Sequence, residues 1–317
     1  MTSSTKLRWL LLVPVSVAVF FASACSGSSE SRFPDTVEIG DGDIQPIAAN
    51  SELVTGPNRF ALGLLDADGI PLVDAKVHLT FYDLNQGEVQ KFEAEAVSRV
   101  PARDAGLETS VVHTHADGSQ HVHANVGEQV GIYTAMVNFD APGEWGVEID
   151  VQKGDLRQVI RPRFNVATET RTPALGADAP RSRNLTADDV ADITQIDSSD
   201  KPAREMHTAT IADTIAAGKP ALLLFAVPGF CTSQLCGPEM EIMRKLYPNY
   251  SSRIEFIHVE FYKTPGDPRS DVADAAKDFG LRTEPWFFAI DSRGKVAAKF
   301  EGPTSMQELE ETLRALQ

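Results

Sequence analysis

The sequence predicts an all-β region followed by an α/β layered region, and three observations carry that division. Between about Phe33 and Val166 short apolar–polar alternations are broken by Gly, Pro, Asp and Asn turns. From about residue 203 the pattern changes to continuous apolar runs separated by helical stretches. Between them, residues 167–202 are rich in Thr, Pro, Ala and Asp, with Pro173 and Pro180, and read as a linker. A chain of 317 residues accommodates two such domains.

In the first region Phe60–Leu65 leads into the turn Asp66-Ala67-Asp68-Gly69, and Ala75–Tyr82 alternates Val77, Leu79 and Phe81 against Lys76, His78 and Thr80. Gly131–Phe139, the turn Pro142-Gly143 and Trp145–Val151 follow. Strands of this length and spacing predict an antiparallel β-sandwich. The run Gly131-Ile-Tyr-Thr-Ala with Pro142-Gly-Glu-Trp-Gly-Val-Glu-Ile149 resembles immunoglobulin-like modules of bacterial surface and copper-associated proteins.

In the second region Thr208–Ala217 is a predicted helix closed by Gly218. Ala221–Val227 is apolar throughout, as a strand buried on both faces must be. Pro238–Tyr247 places Met240, Met243 and Tyr247 on one stripe and is a predicted helix ended by Pro248. Ile254–Phe261 is a second buried strand, Asp271–Phe279 a helix capped by Gly280, and Trp286–Ile290 with Lys295–Phe300 a hairpin about Asp291–Gly294. Met306–Leu316 is a closing helix. The order β-α-β-α-β-β-α predicts a mixed sheet covered by helices.

At the N-terminus Lys6 and Arg8 precede an apolar run from Trp9 to Phe21, then Ala22-Ser23-Ala24-Cys25. A basic start, a short apolar stretch and small residues are a secretory signal, too short for a comfortable membrane span. Its end resembles a bacterial lipobox, which implies cleavage before Cys25, a lipid on the Cys25 sulfur and a membrane-anchored protein facing the extracytoplasmic side. Residues 25–32 then form a lipidated, flexible tether. Ordinary secretion with cleavage after Ala24 is the plainer alternative. Removing residues 1–24 takes away two positive charges and no negative one, moving the formal charge from −16 to −18. Acids outnumber bases 45 to 29, which disfavours a nucleic-acid partner.

Two cysteines, Cys231 and Cys236, fall where the strand 221–227 meets the next helix, and Thr283-Glu284-Pro285 precedes the strand 286–290. This arrangement resembles the thioredoxin fold over roughly residues 203–317. The resemblance implies that Pro285 is a cis-proline beside the cysteines, with Glu284 and Trp286 flanking the groove where a partner polypeptide lies. Pro238 suits the first helical position, making Gly237 the N-cap and leaving Cys236 just outside, where the positive end of the helix favours a thiolate. On one regular helix, residues five apart sit about 140° and about 7.5 Å from each other, too far for a disulfide. Cys231 must therefore lie in the loop, curling back over Cys236, and in an oxidising compartment the pair is expected to bridge. Four residues separate the cysteines where thioredoxins have two. Which thiol attacks is open: Cys231 follows the strand, as the family's nucleophile does, while Cys236-Gly237-Pro238 repeats the start of its Cys-Gly-Pro-Cys. An inert stabilising bridge is the bland alternative, although a short closed loop stabilises little. The expected activity is thiol–disulfide exchange with cysteine-containing extracytoplasmic proteins, without a cofactor.

Two rival readings use the same thiols. Val227-Pro228-Gly229-Phe230 followed by Ser233-Gln-Leu-Cys236 echoes peroxiredoxins, which would make Cys236 the peroxidatic thiol, Cys231 its resolving partner and Arg282 a source of positive charge. Sco-type copper chaperones hold copper with two cysteines and a distant histidine; here His258 is the candidate, although within the strand 254–261 it reads more simply as a packed histidine. A separate metal candidate is His113-Thr-His115 with His121-Val-His123. A hairpin folded about Gly118 would set His115 against His121 and His113 against His123, a face suited to copper or zinc; an exposed polar hairpin is the alternative.

Overall fold

The computed structural model describes residues 31–34, 43–107, 110–114, 120–124, 130–229 and 236–317. Cys25, Cys231 and His115, and the signal and lipid-anchor expectations, lie outside the described residues. Among those residues no helix is long and apolar enough to cross a membrane.

The first region is a single curled antiparallel sheet. Its strands are β1 (Gln45–Ala48), β2 (Gly56–Leu65), β3 (Lys76–Asp83), β4 (Val89–Arg99), β7 (Ile132–Phe139), β8 (Gly143–Lys153), β9 (Leu156–Ile160) and β10 (Arg163–Val166). The spatial order is β1-β2-β7-β4-β3-β8-β10, with β9 also on β8. The long β4 makes the curl possible: Val89–Ala96 pairs with β3, and Val97–Arg99 with β7. The alternation read at 75–82 places Val77, Leu79 and Phe81 in the core. There Phe60, Phe81, Phe92, Phe139, Trp145 and Phe164 pack ring against ring. The Trp145 indole N–H donates to the Ala141 carbonyl at 3.1 Å, and the buried Tyr133 hydroxyl donates to Leu72 O at 2.8 Å, so the polar ends of both rings are satisfied.

A short helix, α1 (Pro101–Asp104), leads to a separate ribbon of β5 (Ser110–Thr114) and β6 (Gln120–Ala124). Here the histidine register needs correction. His113 lies opposite His121, and His123 lies opposite Val111, not His113. The expectation centred the turn on Gly118, the residue freest to turn. The observed register instead opposes Val112 and Val122, a β-branched cross-strand pair.

Residues 167–202 run as irregular chain bonded to both regions. Ala167 N donates to Leu53 O, while Gly176 N and Ala179 N donate to Val296 O and Gly294 O. The second region then adds α2 (Ile211–Ala216), β11 (Ala221–Ala226), α3 (Cys236–Tyr250), β12 (Glu255–Glu260), α4 (Asp274–Asp278), β13 (Trp286–Ile290), β14 (Val296–Glu301) and α5 (Met306–Ala315). The sheet order is β12-β11-β13-β14, with β11 and β12 parallel and the rest antiparallel. This is the thioredoxin-like arrangement. Alternate residues of β11 serve different layers. Leu222, Leu224 and Ala226 face Met240, Met243 and Leu246 of α3 and Leu309 and Leu313 of α5. Leu223 and Phe225 face Ile211 and Ile215 of α2 and Phe279 beyond α4. A strand buried on both faces is therefore what the apolar run produced.

Several helix limits differ from expectation, and α2 begins at Ile211 rather than Thr208. α3 begins at Cys236 rather than Pro238, and it continues through Pro248 to Tyr250. Proline removes one hydrogen bond near the helix end, while the next residues carry Tyr250 into the core beside Leu246. Packing decides the length. α4 is shorter than read, and Gly280 follows it at φ +68°, where a Cβ would stand 2.3 Å from Arg171 O.

Candidate functional site

β11, the central strand of the α/β sheet, ends where the cysteine segment begins, and three contacts fix that end. Val227 N donates to Glu284 Oε2 at 3.1 Å, and Gly229 N donates to Ser198 Oγ at 3.0 Å. Ser198 N in turn donates to Glu260 Oε2 at 3.0 Å. Gly229 is required by proximity, since a Cβ there would lie 2.0 Å from Ser198 O. The chain then passes Cys231, outside the described residues, to Cys236 as the first residue of α3.

Across the sheet, the Glu284–Pro285 peptide is cis, as the resemblance implied. Pro285 is buried. Trp286 is buried too, stacked on Phe288 at 5.6 Å, with its indole N–H donating to Thr283 Oγ1 at 3.0 Å. Thr283 Oγ1 donates onward to Glu301 Oε1 at 2.8 Å. Glu284 is half-buried, turned to the Val227 backbone, and Arg282 is exposed.

A second group lies on the α3 side of β12, where His258 and Glu260 alternate with Ile257 and Val259 of the opposite layer. Asp197 and His207, from the segment before α2, close over it. His207 Nε2 lies 3.3 Å from Asp197 Oδ2 and 3.3 Å from His258 Nδ1, and all three residues are at most 1% exposed. Asp197 Oδ1 accepts from Ser199 N and Oγ at 2.9 and 2.6 Å, and Oδ2 accepts from Ala203 N at 2.7 Å. Burial pushes the Asp197 carboxyl up, but the His207 bond, the His258 ring and the Ser199 and Ala203 donors outweigh it and hold it well below the usual range. Burial lowers His258 to about 4, so this ring is neutral at neutral pH. Burial raises Glu260 to about 8, with the Asp197 and Glu284 charges acting the same way and the Ser198 bonds opposing.

Sequence reasoning singled out His258 but neither Asp197, His207 nor Glu260. Nothing local marks the first two. They lie in or just after the segment read as a linker, and only the fold brings them to β12. Glu260, in a strand read as buried, was the available signal: an acid at such a position needs a reason. The predicted histidine hairpin is not joined to this cluster among the described residues.

No family model matches the chain, and no curated protein does. Among solved structures, the chain is similar to a protein from Chlorobium tepidum described as thiol:disulfide interchange protein DsbE. That match has 16% identity and a TM-score of 0.34, covering 46% of this chain and 99% of that one. It is also similar to a thiol:disulfide interchange protein of the thioredoxin family from Chlorobium tepidum TLS, at 19% identity and a TM-score of 0.28, covering 47% and 99%. At these scores the fold is read from the strand order and connections described above.

Proposed function

We propose that the protein exchanges thiols and disulfides with cysteine-containing proteins outside the cytoplasm, anchored to the membrane by a lipid on Cys25. The observation that supports this reading best is the position of Cys236, which opens α3, the first helix after the central strand β11. There the unpaired N–H groups of the helix favour a thiolate. In the exchange, one thiolate, Cys231 by its freer loop position, attacks a partner disulfide and expels one partner thiolate. The Cys236 thiolate then attacks the mixed disulfide, releasing the second partner thiolate and leaving Cys231–Cys236 oxidised. The two electrons gained by the partner come from the two thiols; in the opposite direction the same steps oxidise a partner dithiol. The Glu284–Pro285 turn would line the partner's backbone, and Glu260, through Ser198 and Gly229, would hold the root of the cysteine loop. The curled β region is read as an immunoglobulin-like sandwich.

The test is thiol labelling of the purified full chain with and without reductant, together with the reduction potential of the couple. A 231–236 disulfide that forms under mild oxidant, and insulin reduction lost in Cys231→Ser and Cys236→Ser, are expected. Two thiols that stay unpaired under that oxidant would end the proposal. A potential near about −270 mV would make the protein a reductant, and one near about −120 mV an oxidant.

A further inference from the structure

We propose that Asp197, His207 and His258 form a mononuclear site for a divalent first-row transition-metal cation, with zinc as its simplest occupant. Three donors of the right kind meet at the right separation. A tetrahedral ion about 2.0–2.1 Å from each ligand sets its ligand atoms about 3.3 Å apart. Asp197 Oδ2 to His207 Nε2 is 3.3 Å, His207 Nε2 to His258 Nδ1 is 3.3 Å, and His258 Nδ1 lies 4.0 Å from the carboxylate's other oxygen. Two imidazoles and one carboxylate suit zinc, and also copper, nickel or iron.

Hydrogen bonding alone serves this triad badly. If His207 Nε2 carries the proton, it donates to Asp197. His258 must then either aim a second N–H at it or keep its proton on Nε2, which is buried and has no close partner among the described residues, the Ala226 backbone acting on the ring only weakly. If His258 Nδ1 donates to His207 Nε2, the latter turns a lone pair on the Asp197 carboxylate, and its proton moves to Nδ1, also buried without a partner. Each neutral arrangement leaves a buried N–H poorly partnered, with the Ala226 backbone the remaining neighbour of the His258 ring, or sets two like groups face to face. A cation removes the inner conflict, because all three inner atoms then present lone pairs to one point. Two outer N–H groups remain unpartnered among the described residues. Ligation of the ion by three inner atoms offsets that loss. Asp197 is already ordered for the role: bonds from Ser199 and Ala203 fix the carboxylate and leave Oδ2 one further lone pair.

The site is independent of the cysteine chemistry, and its test separates the two. The full chain carrying Cys231→Ser and Cys236→Ser, so that no thiolate competes, is stripped with chelator. It is then loaded with zinc in two ways: in the native state, and during refolding, because a fully buried site fills most readily as the protein folds. About one zinc per chain after refolding is expected, with thermal unfolding raised by several degrees. His207→Gln and His258→Gln, each checked for the native circular dichroism spectrum, should bind zinc at least about tenfold more weakly and lose the shift. Should one of them misfold, Asp197→Asn provides the same comparison. A chain that takes up no zinc by either route overturns the site. So does zinc that survives these substitutions and is lost when His113, His121 and His123 are replaced.

Discussion

Two buried polar clusters in this protein both hold carboxylates against basic side chains, and they behave as opposites. The first joins the β and α/β regions. Arg59 meets Glu308 at 2.8 Å and donates to the Glu301 and Pro303 carbonyls. Nearby, Glu52 accepts from Thr170, Thr172 and Lys299, and Ser51 N donates to Glu301 Oε2 at 2.7 Å. The second is Asp197–His207–His258–Glu260, where His207 Nδ1, His258 Nε2 and Glu260 Oε1 are buried without a hydrogen-bond partner. A buried polar group without a partner costs more than a made bond returns. The seam is therefore a joint, saturated and structural. The cluster beside β12 bears a cost that the seam does not, which is the cost the proposed metal ion would offset.

Substitutions should divide along that line. The largest effect is on rate: Cys236→Ser should slow insulin reduction by at least about a hundredfold while the unfolding midpoint stays near wild type. A destabilised but active variant would reverse the assignment of roles. At the seam the effect should be on stability. Arg59→Ala leaves the Glu308 carboxylate with Arg99, at 3.5 Å, as its remaining cation beside the Ser305 hydrogen bonds, and should cost about 3 kcal/mol in urea unfolding, with exchange changed less than about twofold. Loss of exchange there would tie the joint to the chemistry. In the metal-free protein His258→Leu removes an unsatisfied ring from the second cluster, so it should lie within about 1 kcal/mol of wild type. A cost as large as that at Arg59 would show that the triad is a satisfied joint after all.

The seam also sets a pH dependence. Burial pushes the Glu308 carboxyl up, but the Arg59 charge and hydrogen bond, the Ser305 amide and Arg99 outweigh it and hold it below 4.5. A folded value below the unfolded one adds stability that is present above about pH 4.5 and is lost as pH falls through the folded value. The stability gap between wild type and Glu308→Gln should accordingly be full at pH 7 and close on acidification. A gap that widens in acid would contradict the pairing. The smallest effect is at Ser198→Ala, where loss of one acceptor for Gly229 N should cost about 1 kcal/mol, read by unfolding.

Much of the frame is legible along the chain. Residues 221–227 contain no polar side chain, so both faces of that strand had to be covered, and two helical layers cover them. The alternation at 75–82 assigned Val77, Leu79 and Phe81 to the core, but it did not show that Thr80 and Tyr82 on the other face are covered as well. The cysteine pair was visible because strand, cysteines and helix are contiguous, and the proline before the strand 286–290 is local too. The histidine register was not legible from the position of the glycine: the two strands set His113 opposite His121. Nor was the extent of α3, because a proline reads as a stop unless the next turn has a core to reach.

By itself the sequence determined the order of most strands and helices, which faces of them are apolar, and that two cysteines fall between the central strand and the helix after it. All of these follow from neighbours within a few residues, whose periodicity and backbone preferences act over one element. Only the tertiary structure decided that Asp197 and His207 close over His258, ten and fifty-one residues from one to the next, and that Glu308 locks onto Arg59. The physical reason is that a buried polar atom's free energy depends on which distant group faces it, and that pairing does not exist until the sheet has formed.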